Sequence, residues 1–242
     1  MFFKMTLDIL NEPTIGQLVA QRPGRARIFE KYGIDYCCGG GKTLSKVCRD
    51  LALDPRQIFF EMDQQDPQPT SDERDWTQAS LTELADHIEQ VHHQYLKDEL
   101  PRIEALSRKV VSVHGNSHPE LLEIHKQFIA IKEELESHIL REERVLFPLC
   151  RQLNQQHPGH VYGPLEEPIS VMVREHEDAG HALEQLHRLS NNYTSPLDAC
   201  NSFRRLYENL SRLERDLHQH VHKENNILFP RAIEAEARLG WV

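Results

Sequence analysis

Two stretches of this chain are one pattern written twice. His138-Ile-Leu-Arg-Glu142-Glu-Arg-Val-Leu146-Phe147-Pro148 and His220-Val-His-Lys-Glu224-Asn-Asn-Ile-Leu228-Phe229-Pro230 each read His, three residues, Glu, three residues, Leu-Phe-Pro. A His and a Glu four apart on a helix share one face, about 40° apart around the axis. A partner His stands upstream of each copy at nearly the same interval, His93 before His138 and His176 before His220. Two such helices facing each other, with one His from each of two neighbours, assemble four imidazoles and two carboxylates. That set suits a pair of iron or manganese ions inside a four-helix bundle. A single His-x3-Glu is common by chance; two in matched surroundings are not.

The composition agrees. Fifteen His in 242 residues is a high content. The formal net charge of -10 argues against nucleic acid or an anionic membrane as partner. The opening MFFKMTLDIL carries one Lys, and its apolar run breaks too early for a secretory signal. No stretch approaches the roughly 20 apolar residues of a membrane span. Five Cys, an odd number without framework spacing, suit a reducing compartment. The expected location is cytoplasmic.

The helical periods predict an all-α chain: a small helical domain over residues 1–62, a linker over 63–79, and an up-down-up-down four-helix bundle over 80–242. In the first part, helices are expected around Ile15–Val19, Ala26–Tyr32, Leu44–Leu51 and Pro55–Met62, with the turn-rich Gly33–Lys42 segment between the second and third. The capping box Ser80-Leu-Thr-Glu83 opens the first bundle helix, which runs to about Val113. The second starts near Ser117, with Pro119 in its first turn, and runs to about Leu153. After the loop Asn154–Glu167, the third runs from Pro168 to about Asn191, and the fourth from just after Ser195, with Pro196 early, toward Ala237. Pro148 and Pro230 are expected to kink or end their helices, at the same place in both repeats.

Helical spacing selects among the His. Phe128, Ile131 and Leu135 precede His138 on its face, with Val145 and Leu146 ahead. Leu210, Leu213 and Leu217 precede His220, with Ile227 and Leu228 ahead. His93 leads to Leu96, Leu100 and Ile103, and His176 sits with Met172, Val173, Ala179, Leu183 and Leu186. His92 leads to Tyr95 and Glu99, a wetter face. His87, His181, His187, His218 and His222 have polar neighbours and are expected at the surface. Burying Glu142 and Glu224 without a cation would cost several kcal/mol each. Zinc sites usually close with four ligands, often including Cys. Six nitrogen and oxygen ligands without thiolate suit two octahedral-leaning ions instead. Glu142 and Glu224 are the expected bridges, with His93, His138, His176 and His220 terminal. Water, hydroxide or oxide would fill the remaining positions, leaving room for O2 or NO. Iron is the favoured ion, with manganese or mixed occupancy left open.

The bundle resembles the hemerythrin-like domain family. Together with Ile34-Asp-Tyr36-Cys37-Cys38-Gly-Gly, the two repeats resemble the di-iron iron–sulfur cluster repair proteins in particular, over nearly the whole chain. The resemblance carries the family's di-iron ligands onto His93, His138, Glu142, His176, His220 and Glu224, the residues the periodicity had selected. It implies an oxo- or hydroxo-bridged, carboxylate-bridged pair of irons. It also places a further family His on His114, expected near the site as an outer-shell or channel residue. The fourth helix departs from oxygen-carrying hemerythrins, which use a His/Asp arrangement and an additional His, and this puts reversible O2 carriage in doubt. The Asn154–Glu167 loop is somewhat long for the family.

Cys37 and Cys38 are too close in sequence to staple the fold, and a disulfide between them would be strained and easily reduced. They read either as small buried residues in a tight turn, or as thiols that handle iron, sulfur or NO, their pKa values lowered by nearby backbone amides. Cys48, Cys150 and Cys200 are isolated and expected to serve packing. Gly39-Gly40-Gly41-Lys42-Thr43 lacks the spacing of a phosphate loop and a preceding strand. By the resemblance, the chain repairs iron–sulfur proteins whose clusters are damaged by nitrosative or oxidative stress; donation of labile iron is one physical route, with the Cys pair acting at the handover. Two rival classes fit the same ligands: reduction of NO, and a module in which O2, NO or redox state moves the N-terminal domain. A homodimer through that domain is compatible with the sequence.

Overall fold

The computed structural model describes residues 12–65, 74–154 and 164–239. The chain start, the middle of the expected linker and most of the Asn154–Glu167 loop lie outside the described residues.

The N-terminal part folds as its sequence signals require. Thr14 and Gln17 form a reciprocal capping box that opens α1 (Ile15–Gln21). A 3-10 turn, Pro23–Arg25, leads into α2 (Ala26–Lys31). Gly33 then adopts φ 63°, and a Schellman closure follows: Ile34 N–H donates to Phe29 O at 2.9 Å and Gly33 N–H to Glu30 O at 3.1 Å. Thr43 caps α3 (Leu44–Asp50), and α4 (Pro55–Gln65) follows. Ile15, Phe29, Leu44 and Ile58 are fully enclosed in the small apolar core these helices share.

Four long helical rods form the rest. The first is α5 (Leu81–His87), a π-helical segment Ile88–His93, and α6 (Gln94–His114), opened by the expected Ser80–Glu83 capping box. The second is α7 (Glu120–Arg141), a π segment Glu142–Leu146, and α8 (Phe147–Asn154). The third is α9 (Glu166–Leu189). The fourth is α10 (Asn201–Lys223), a π segment Glu224–Leu228, and α11 (Phe229–Leu239). α6 packs on α7, α7 on α9, α9 on α10 and α10 on α6, closing the expected ring. Among the described residues, no helix is long and apolar enough to cross a membrane.

Three details differ from the sequence reading. Pro148 and Pro230 neither end nor break their rods. Each is the second residue of an α-helix that follows a π segment, where a missing N–H costs little. The extra residue in that turn also shifts the register: Leu146 and Phe147 are buried while Val145 is 40% exposed. The fourth rod starts at Asn201 rather than after Ser195. Pro196 instead opens a turn closed by Ala199 N–H to Pro196 O at 3.1 Å, and Cys200 is extended as the cap.

The core is split along the bundle axis. One apolar cluster, including Leu100, Phe128, Leu186 and Leu213, fills the α6–α7–α9–α10 end. A second, including Leu84, Phe147, Met172 and Phe229, fills the α5–α8–α11 end. Between them lies a layer of buried polar side chains: His93, His138, Glu142, His176, His220 and Glu224.

The N-terminal part docks against this layer through Asn226 of the third π segment. Its amide donates to Tyr36 O at 3.3 Å and Cys37 O at 2.9 Å. Gly16 and Gly40 make room for it, since a Cβ on either would lie 2.1 or 2.3 Å from Asn226 Oδ1. A Cβ on Gly40 would also meet the Tyr36 carbonyl at 2.6 Å, whereas one on Gly41 meets nothing within 4 Å. Gly40→Ala is therefore expected to cost about 1–3 kcal/mol by overpacking, and Gly41→Ala within about 0.5 kcal/mol of nothing. Urea unfolding of the two variants checks this difference.

Candidate metal centre

The centre is assembled by three rods that bulge at it and one that runs straight through. His93 ends the first π segment, Glu142 begins the second and Glu224 the third, while His176 sits within the unbroken α9. π turns re-aim a side chain by adding a residue to one turn, and they gather at functional sites. Here they bring six ligating groups into one layer. His93 and the two Glu are wholly enclosed, and His138, His176 and His220 are no more than 4% exposed.

The distances sort these groups into two overlapping sets of four. Glu142 Oε2 lies 3.3 Å from His93 Nε2, and its Oε1 lies 3.2 Å from His138 Nε2. Glu224 Oε1 lies 3.1 Å from His220 Nε2, and its Oε2 lies 3.2 Å from His176 Nε2. His93 Nε2 and His220 Nε2 are 3.3 Å apart, and His138 Nε2 and His176 Nε2 are 3.0 Å apart. One set is thus His93, His220 and both carboxylates; the other is His138, His176 and both carboxylates. Each carboxylate spans the two sets with one oxygen apiece, the bridging role its sequence position suggests.

The donor chemistry fits a cation. All four oxygens of Glu142 and Glu224 are buried without a hydrogen-bond partner among the described residues. Unpaired buried carboxylates cost several kcal/mol each, and a divalent ion on either set would remove that cost. Without an ion, protons do part of this work. Burial works against charge on His93 and His138, but Glu142 outweighs it: His93 is raised and His138 is raised to about 9. Burial would likewise raise Glu224, but His220 and His176 hold it well below the ordinary carboxylate range.

The outer Nδ1 atoms are held differently around the site. His93 Nδ1 pairs with Glu143 at 2.9 Å, which Lys97 also contacts at 2.6 Å. His138 Nδ1 pairs with Glu175 at 2.7 Å, which also accepts from Arg141 Nη2 on both oxygens. His176 Nδ1 meets Asn225 Oδ1 at 2.9 Å, and among the described residues His220 Nδ1 has no hydrogen-bond partner. Such partners orient the ring and raise its donor strength. The sequence reading missed them, though a signal existed. Glu143 and Asn225 each follow the bridging Glu in their own repeat, and Glu175 stands directly before His176.

Two His expected at a wet face or the surface are buried. The π segment turns both His92 and His93 inward. His92 then stacks parallel on His220 at 5.5 Å, pairs with Asp216 at 2.9 Å and accepts from Lys223 at 2.7 Å. Burial lowers His92 to about 4 and Lys223 to about 8. His222 is covered by the N-terminal part, its Nδ1 lying 3.3 Å from Tyr36 O.

The structure brings Cys37 and Cys38 to the centre and leaves His114 away from it. Cys38 Sγ lies 3.5 Å from the carbonyl oxygen of His176, and the two sulfurs are 4.0 Å apart and free. The backbone amides of Cys37, Cys38 and Gly39 all donate to the Asp35 carboxylate, at 3.0, 3.0 and 2.8 Å. Those amides are therefore not available to stabilise a thiolate. The neighbouring Cys38 sulfur, burial and Asp35 push the Cys37 thiol well up, opposite to the sequence expectation. His114 ends the 21-residue α6, about 30 Å along the rod from His93. It pairs with Cys200 Sγ at 3.1 Å beside Phe203. Cys200 is exposed rather than packed, whereas Cys48 and Cys150 are buried as expected.

A cavity of about 440 Å³ opens beside the centre, with His138, His176 and His220 on its floor and Cys37 and Cys38 on its wall.

Known proteins share this plan. The family model described as hemerythrin HHE cation binding domain matches residues 84–232, a span containing all six ligating residues. A second model, ScdA_N, described as a domain of unknown function (DUF542), matches residues 11–66. An iron-sulfur cluster repair protein YtfE from Edwardsiella ictaluri is 38% identical over 219 residues, covering 90% of this chain and 96% of the relative. The proteins of that name from Citrobacter koseri and Escherichia coli O8 are 36% and 37% identical over 223 residues, covering 92% of this chain and 97% of each relative. A buried His/Glu layer inside the matched bundle, and relatives collinear over nearly their whole length, place the chain in the YtfE iron-sulfur cluster repair protein family, built on a hemerythrin HHE cation binding domain.

Proposed function

We propose that the chain holds a carboxylate-bridged pair of iron ions and repairs iron–sulfur clusters damaged by nitrosative or oxidative stress by donating iron to them. The observation that carries this reading is the arrangement of Glu142 and Glu224: four buried, unpartnered oxygens, one from each carboxylate facing each imidazole pair. The name shared by the relatives supports the repair role. The ligands suit iron because imidazole and carboxylate without thiolate make an intermediate-to-hard site.

The iron is cargo in this reading, so the site has to release as well as hold. A carboxylate shared between two ions meets that need. When Glu142 or Glu224 shifts toward one imidazole pair, the other pair loses an anionic ligand while its helices stay in place. His93, His138 and His176, oriented by Glu143, Glu175 and Asn225, keep the empty positions formed for reloading. Clients would be damaged iron–sulfur proteins.

Glu142→Leu and Glu224→Leu are each expected to lower bound iron and repair together. Metal analysis of the purified variants, with recovery of activity of an NO-treated cluster enzyme, checks this; repair by an iron-free variant would overturn iron donation. Stripping the metal by anaerobic dialysis against a chelator is expected to lower the melting temperature. An ion present at a thousandfold its Kd stabilises the folded state by about 4 kcal/mol. An unchanged melting temperature would show that the buried carboxylates do not depend on it.

The cavity favours one further reading. Leu135, Leu183, Leu217 and Val221 contribute apolar wall beside the three imidazoles, an environment suited to uncharged diatomics. Reduction of NO is then expected to give nitrous oxide over many turnovers when the reduced protein is supplied with a one-electron donor. A single turnover or none restricts the centre to iron supply.

A further inference from the structure

We propose that Asp35, Cys37 and Cys38 form a second metal site for a thiophilic divalent cation, ferrous iron in the working protein, and that it receives the ion held on the His138–His176 side of the centre. The route rests on the iron-donation reading; the site does not.

The geometry of the trio fits one ion. The two sulfurs are 4.0 Å apart. Thiolates bound at about 2.3 Å to a tetrahedral ion lie about 3.8 Å from each other. An Asp35 oxygen stands 3.2 Å from Cys37 Sγ, and one ligand atom from each of the three residues falls within 4.8 Å of the others. Three backbone amides hold the Asp35 carboxylate in place. A carboxylate has about four lone-pair positions and the three amides fill three of them, which leaves one for a cation. Cys38 is half-buried with its sulfur on the cavity wall, and the remaining coordination positions face that space.

The surroundings favour a cation in transit. Glu133, Glu134, Glu175 and Asp178 line the same cavity, and the one Arg lining it, Arg141, is already engaged by Glu175. A cleft of one charge sign concentrates counter-ions. The two halves of the centre differ in access to it. His138 and His176 both face the cavity, and Cys38 Sγ touches the His176 carbonyl. Of the other set only His220 lines the cavity; His93, fully enclosed and stacked on Phe147 at 5.3 Å, does not. An ion leaving toward the thiols therefore departs from the His138–His176 set.

The step is a ligand exchange without change of oxidation state. Nitrogen and oxygen bonds at the centre break, two metal–sulfur bonds form, and the two displaced thiol protons pass to solvent. A sulfur ligand pair also matches the destination, since iron–sulfur clusters bind iron through sulfur.

Anaerobic titration of the iron-loaded full chain with cobalt(II) tests the site. The expected result is a further equivalent of bound cobalt showing thiolate-to-cobalt charge-transfer absorption. Both the equivalent and the absorption should vanish in Cys37→Ser/Cys38→Ser, with iron in the bundle unchanged. Cobalt uptake without that absorption, or equal uptake by the double variant, overturns the site. Release of ferrous ion from the loaded chain to a chromogenic chelator tests the route. Two phases are expected, the faster slowed at least about tenfold in the double variant, as for lost metal partners elsewhere. Identical release from both proteins overturns the route while the cobalt site stands. Cobalt binding and biphasic release together with failed cluster repair would count against the donation reading instead.

Discussion

Two carboxylates buried between two apolar clusters set the terms for the rest of the molecule. Glu142 and Glu224 are fully enclosed, and no hydrogen-bond donor satisfies their oxygens. Only cations, as protons on imidazole or metal ions, can offset that burial. The rods therefore cannot pack by apolar complementarity alone. They must place four imidazoles around two carboxylates, and a regular helix repeat does not do so. The three π turns absorb the mismatch between the spacing that suits the core and the spacing that suits the site. The Leu-Phe-Pro that follows two of them serves the same end, since a proline early in a new helical segment has no partner carbonyl to lose.

Much of this was legible in the chain because it is governed by period and chemistry. The capping box at Ser80, the glycine closing α2 and the apolar faces of the rods each have a local cause, and each element appears where that cause lies. The six residues of the buried His/Glu layer were legible because duplication removes chance. What was not legible depends on the extra residue of a π turn or on distant packing. Val145, expected beside Leu146 on the inner face, is turned outward by the first effect. His92 shows both effects, turned inward by the first π segment and covered by Asp216 and Lys223 of α10, and His222 shows the second, covered by Tyr36 of the N-terminal part. His114 fails for a simpler reason. Family position does not measure distance, and a helix of 21 residues carries a side chain far from where it began.

The duplicated halves have not stayed equivalent. The residue after the bridging Glu orients a His ligand in both repeats, but it is an anion in one, Glu143, and a neutral amide in the other, Asn225. A carboxylate partner makes imidazole a stronger donor than an amide does. The next position diverges further. Arg144 is exposed, whereas Asn226 is inserted between Gly16 and Gly40 and bonded to the cysteine loop. One repeat thus keeps a surface residue where the other anchors a second domain.

That divergence gives the π turn at Glu224 a double attachment. Its first residue reaches His176 and His220, its second orients His176, and its third holds Tyr36 and Cys37 by their carbonyls. Three consecutive side chains therefore connect the metal layer, its outer partner and the thiols with no intervening flexible segment. The thiols stand beside His176 because the same turn that carries the buried Glu224 carboxylate also holds them there.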